Sequence, residues 1–150
     1  MLSGGKLTIA SGGTDIGLAV SPGGSAIVSS GGVLELLSGN TTSGVALLSG
    51  GTLEVASGAV LSGQTISKGV TVLVLSGGTA VSLNVKAGGF EIVSAGGFES
   101  GSNISSGGTF EAIGNASVTP HLLSGAKRGS SPASSLPRRR SRRARPTCSR

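Results

Sequence analysis

Between Gly50 and Lys68 the chain reads GGTLEVASGAVLSGQTISK, an eight-residue cassette followed by one of eleven. Copies of this pair run from about Gly4 to Asn115. The glycines that open cassettes are Gly4, Gly12, Gly23, Gly31, Gly39, Gly50, Gly58, Gly69, Gly77, Gly88, Gly96 and Gly107. In the short cassettes the fourth position is Leu7, Ala26, Leu34, Leu53, Val72, Glu91 and Phe110. The sixth is Ile9, Val28, Leu36, Val55, Val74, Val93 and Ala112. The position between is mixed: Thr8, Ile27, Glu35, Glu54, Leu73, Ile92 and Glu111. Alternation with one mainly apolar side predicts a half-buried strand. In the long cassettes the ninth position is Val20, Leu47, Ile66, Val85 and Ile104, and the sixth is Gly17, Gly44, Gly63, Ser82 and Gly101. That pattern predicts a bend followed by a second strand. Glycine, serine and threonine recur throughout without a 3.6-residue apolar stripe, which excludes helix.

A period of nineteen over about six units predicts an all-β solenoid, in which each rung buries a few aliphatics against its neighbours. The repeat domain spans 1–115. Two eight-residue steps in succession, from Gly23 to Gly39, break the alternation. They predict half a rung of lost register, with a bulge, a loop or a poorly formed first rung. Pro22 fits a turn there, because it cannot donate to a ladder. Residues 116–126 read as a fading last rung, and 127–150 as a disordered tail of Arg, Ser and Pro.

Composition narrows the fold further. The 150 residues include 28 Gly, 3 Phe and neither Tyr nor Trp, yet 37% are apolar. That suits a narrow aliphatic core rather than one large one. The net charge of +6 is a sum of two unlike parts. Met1 to Ala126 carries three Lys, six acids and no Arg, whereas Lys127 to Arg150 carries nine basic residues and no acid. Cys148 is the only cysteine, so the chain forms no internal disulfide and no cysteine-based metal site. The N-terminus enters the repeat without a signal-peptide pattern, and Val70 to Leu75 is too short an apolar run to span a bilayer.

The segment GGTAVSLNVKAGGFEIVSAGG, Gly77 to Gly97, resembles the nineteen-residue strand-loop-strand repeats of bacterial autotransporter passengers, typified by the adhesin of diffuse adherence. The resemblance covers about residues 4 to 115. It implies a single-stranded right-handed β-helix displayed on the surface of a Gram-negative cell, or released from it. It also implies a role in adhesion, aggregation or biofilm formation and virulence, with sugars on Ser in some members. Such passengers are exported with a signal peptide and an outer-membrane β-barrel. This chain shows neither, so it is expected to be a truncated or frameshifted fragment, its arginine tail an out-of-frame read. Its partners are then host or neighbouring-cell surface molecules, or further copies of itself.

Candidate chemistry is sparse. The glycines never fall as Gly-x-Gly, and no Gly-Lys-Ser/Thr occurs, so nucleotide-loop readings fail. Calcium-binding rolls need Asp in each repeat, and Asp15 is the only one. Metal and cofactor are therefore expected to be absent, and so is a small-molecule substrate. Glu35, Glu54 and Glu111 share one column. A polysaccharide-cleaving pair is conceivable there, but a solubilising edge accounts for them without Arg, His or Tyr nearby. His121 stands alone. Thr14, Thr41, Thr52, Thr79 and Thr109 recur without the paired file an ice-binding face needs, and cap turns. Asn40, Asn103 and Asn115 match the glycosylation sequon, a frequent coincidence in such chains. Phe90, Phe98 and Phe110 cluster in the last rungs as a candidate contact surface, against the plainer reading of core or end packing. Arg138, Arg139, Arg140, Arg142, Arg143 and Arg145 would hold nucleic acid or an anionic membrane non-specifically.

Overall fold

The structure is a computed structural model that describes residues 4–19, 23–40 and 42–131. The described residues form sixteen short strands, paired only in parallel, and no helix. They wind into a β-solenoid of about six turns. One face is a seven-stranded sheet: β2 (Thr14–Ile16), β4 (Val33–Leu36), β6 (Thr52–Val55), β9 (Thr71–Val74), β12 (Phe90–Val93), β14 (Thr109–Ile113) and β16 (Lys127–Ser131). A second face begins lower, with β7 (Val60–Ser62), β10 (Thr79–Val81), the first part of β13 (Phe98–Ile104) and of β15 (Ser117–Leu122). The third is carried by two ladders that no described pairing joins: β1 (Lys6–Ile9), β3 (Ser25–Val28) and β5 (Val45–Leu47), and below them β8 (Thr65–Ile66), β11 (Asn84–Val85) and the ends of β13 and β15.

Like stacks on like. Val55, Val74 and Val93 pair in register and are fully buried. Alternate residues of the same strands, such as Glu54 and Leu73, face outward in their own file. Corners are fixed by glycine: Gly50, with φ of 82°, sits where an L side chain is strained. Its N–H donates to the Gly69 carbonyl at 2.7 Å, and the Gly31 N–H donates to the Gly50 carbonyl at 2.9 Å. The next residue in the corner meets a different constraint. A Cβ on Gly51 would lie 2.7 Å from the Val28 carbonyl oxygen of the rung above. Val70 nevertheless occupies the equivalent place one rung down and is buried, so this position favours glycine without demanding it.

The expected loss of register does not occur. Thr14 pairs with Val33 and Val33 with Thr52, nineteen residues apart each time, straight through the doubled short step. The two halves of the turn change order instead. Above Gly31 the long step follows the Gly12 corner; from Gly31 downward the short step comes first. A parallel ladder senses only residues per full turn, and both orders make nineteen. The cassette columns must therefore be redrawn. Ile9 and Val28 stand over Leu47 on the third face, whereas Leu36 opens the file of Val55, Val74 and Val93. Val20 and Pro22 lie outside the described residues.

The lower end also departs from expectation. Strand β15 extends over six residues, and β16 pairs with β14 through Lys127–Ser131, five residues into the segment read as tail. The repeat fades to the eye because this last turn is one residue short. Phe98 pairs with Ser117 but Asn103 with His121, and a register shift after Ser100 takes up the difference.

Candidate functional site

One rung differs from the others in what it buries. On the seven-stranded face, the interior file is Leu34, Leu53, Val72, Glu91 and Phe110. On the second face it is Leu61, Ala80, Glu99 and Val118. Glu91 and Glu99 thus enter the core from two faces of the same turn, and both are fully buried. Ser102, also buried, follows the Gly101 bend and faces them. Its backbone N–H donates to Glu99 Oε1 at 2.6 Å, and its hydroxyl donates to Glu91 Oε1 at 3.2 Å. The Thr119 N–H donates to Glu99 Oε2 at 2.9 Å.

The two carboxyls have different fates. Glu99 accepts two backbone N–H groups and ties the bend to the shortened rung below, where the register shifts. Glu91 is poorly compensated, and its Oε2 has no hydrogen-bond partner among the described residues. Burial, chiefly, and the charge of Glu99 push its pKa up to about 8, while the Ser102 hydrogen bond pulls the other way. At neutral pH Glu91 therefore keeps its proton, the form that suits a place between Val72 and Phe110. Sealed in the core, this pair works as a structural clamp rather than as chemistry offered to a substrate.

The outward files carry what a partner would meet. Thr52, Thr71, Phe90 and Thr109 form one file, and Val60, Thr79, Phe98 and Ser117 another. Phe90 is 41% exposed and Phe98 45%, the first between Thr71 and Thr109 and the second between Thr79 and Ser117. They stand on adjacent faces of one rung, separated by the Ala95–Gly96 corner. Phe110 does not belong with them. It is fully buried in the interior file, so the expected cluster of three is a pair on the surface and one core residue. The reason is the pleat: Phe90 is the first residue of its strand pair and faces out, Phe110 the second and faces in.

Glu35 and Glu54 stack directly in an outward file, while Leu73 and Ile92 separate them from Glu111. No cavity opens among the described residues. No cluster of three or more His, Cys, Asp or Glu suited to a metal occurs among them either. Asn103 is exposed, and its Nδ2 donates to Asn84 Oδ1 at 3.5 Å along the ladder. The six arginines from Arg138 to Arg145 lie outside the described residues.

No protein-family model matches the chain. No curated protein matches it. Among solved structures the chain is similar to the crystal structure of a TibC-catalysed, hyper-glycosylated fragment, TibA55-350. The TM-score is 0.47 and the identity 25%, over 88% of this chain and 59% of that one. The chain thus spans less than two thirds of the fragment it matches.

Proposed function

We propose that the chain is a structural and adhesive segment of a surface-displayed passenger, working through its outward files. The observation that carries this reading is the solenoid itself, whose rungs hold Phe90 and Phe98 outward at fixed height on a stiff stack. The resemblance of the repeats to autotransporter passengers points the same way. An exposed aromatic ring among hydroxyl-bearing neighbours suits a sugar or a protein side chain on another cell. The reading makes the chain a binder or spacer with no reaction of its own, located at the cell surface or outside the cell.

Phe90→Thr/Phe98→Thr copies the residues already present at Thr71 and Thr79. Beads coated with the native chain are expected to adhere to epithelial or bacterial cells above an albumin control. The double variant is expected to lose about tenfold in adherence, since buried aromatic anchors carry most of an interface's energy, with an unchanged melting temperature. Native beads that adhere to neither cell type would contradict the function. Equal adherence by the double variant would remove the two rings from it.

A further inference from the structure

Three inward places become polar together in one turn. In the turn above they hold Val72, Ala80 and Leu83, all fully buried. One turn on, the same places hold Glu91, Glu99 and Ser102, also fully buried. A buried polar group is costly unless it is hydrogen-bonded, and Glu91 Oε2 has no partner among the described residues. A cost gathered into one turn points to a task for that turn. The same turn carries both exposed rings: Phe90 directly precedes Glu91, and Phe98 directly precedes Glu99.

The bend that closes the cluster has little beneath it. Pairing with β15 stops at Ser100–Thr119 and resumes at Asn103–His121, so Gly101 and Ser102 stand over Pro120, which has no N–H to donate. The bend is tied instead through Ser102, whose N–H and hydroxyl donate to the two carboxyls. Other charges keep away from Glu91. No titratable side chain occurs on β9, β10 or β11. Glu111 on β14, His121 on β15 and Lys127 on β16 sit in outward files. Arg128 lies two turns on in the interior file, beyond Phe110. Glu99 is the one charged group that faces Glu91 among the described residues.

We infer that Glu91, Glu99 and Ser102 form a pH-operated latch on the Ser100–Asn103 bend. With Glu91 protonated, the bend is shut and Phe90 and Phe98 keep a fixed separation. When Glu91 gives its proton to solvent, two carboxylates share one interior with no cation between them, so the bend swings out and water reaches both. The strand that begins at Phe98 then loses its anchor, and the ring pair its fixed geometry. In the open bend Glu91 ionises near its ordinary value of 4.5; in the shut bend it does so only near 8. Between those limits each pH unit therefore favours opening about tenfold, and beyond them the gain stops because the shut form ionises too. That the rings are the contact rests on the function proposed above; the latch itself does not.

Amide hydrogen exchange of the full chain, normalised at each pH to the unfolded chain, tests this. Protection of the Ser102 and Thr119 N–H groups is expected to fall about tenfold per pH unit toward the upper limit and then to level off. The Ala56 N–H, bonded to the Leu36 carbonyl at 3.0 Å two turns away, is expected to stay better protected throughout. Glu91→Gln keeps the shape without the titration and should remove the slope. Glu91→Val, a copy of Val72, makes the same test should the glutamine variant fail to fold. A flat native profile at Ser102 would overturn the latch. So would a slope that survives in the variant, or equal protection at Ala56 and Ser102. Bead adherence below and above the upper limit then reads the rings separately. Native beads are expected to lose adherence severalfold at the higher pH and Glu91→Gln beads to keep it. Native adherence indifferent to pH, or equal loss by both, would overturn the link from latch to rings. Beads that adhere at neither pH would contradict the function, and the exchange profile would still decide the latch.

Discussion

The rungs above Gly31 and those below it are cut differently from the same nineteen residues. Above, the turn after the Gly12 corner runs eleven residues to Gly23, and the second face has no paired strand among the described residues. Below, eight residues lead from Gly31 to Gly39, and the second face is paired only from the next rung, at β7, downward. Yet the seven-stranded face passes through the change without a break, and on the third face β3 still pairs in register with β5, although that ladder ends there and β8 begins another. A parallel stack thus tolerates rearrangement within a turn so long as the turn's length holds, because the ladder hydrogen bonds join each strand to its counterpart one full turn away. A change in length is felt at once: the eighteen-residue turn at the lower end needs a register shift, and there the Glu99 carboxylate takes up two backbone N–H groups.

The largest effect expected from a single substitution lies in the completed lower rungs. Phe110→Ala removes the largest fully buried side chain and should cost about 3–5 kcal/mol in denaturant unfolding. Leu7→Ala, at the half-buried upper end, should cost clearly less. Equal losses would mean that the two regions are packed alike.

A smaller effect separates the regions by chemistry. Glu91 holds its proton in the folded chain up to about pH 8, but releases it near its ordinary value of 4.5 when unfolded. The folded state therefore binds the extra proton between those limits. Its stability should fall as pH rises from about 4.5 to about 8, and flatten beyond. Glu91→Val repeats the Val72 of the rung above; it should abolish most of that slope and raise stability most at pH 8. A native chain whose melting temperature is flat over this range would show that Glu91 is ionised in the fold.

Much of the fold was legible because nineteen-residue spacing translates directly into stacking, and the interior files of Val and Leu followed from it. The order change was not legible. Two short cassettes look alike as sequence, and nothing local to Gly23 or Gly31 says which face each will occupy. Phe110 was readable: its column, with Leu34, Leu53 and Val72, is apolar throughout except at Glu91. That exception was the one available sign of the buried carboxyl pair. Glu99 escaped notice because it lies across a corner from Glu91, and Ser102 beyond a glycine bend, so only winding brings the three together.

Cross-linking tests the constant turn most directly, in a Cys148→Ser background. In-register neighbours on adjacent strands lie about 4.8 Å apart, within disulfide reach. Ile27 pairs with Ala46 across the order change, nineteen residues on, although Glu35 holds the matching place in the next short cassette. Mild oxidation of Ile27→Cys/Ala46→Cys should give an intramolecular disulfide by peptide mass mapping, and Ile27→Cys/Glu35→Cys should give none. A disulfide in the second pair but not the first would contradict the constant turn.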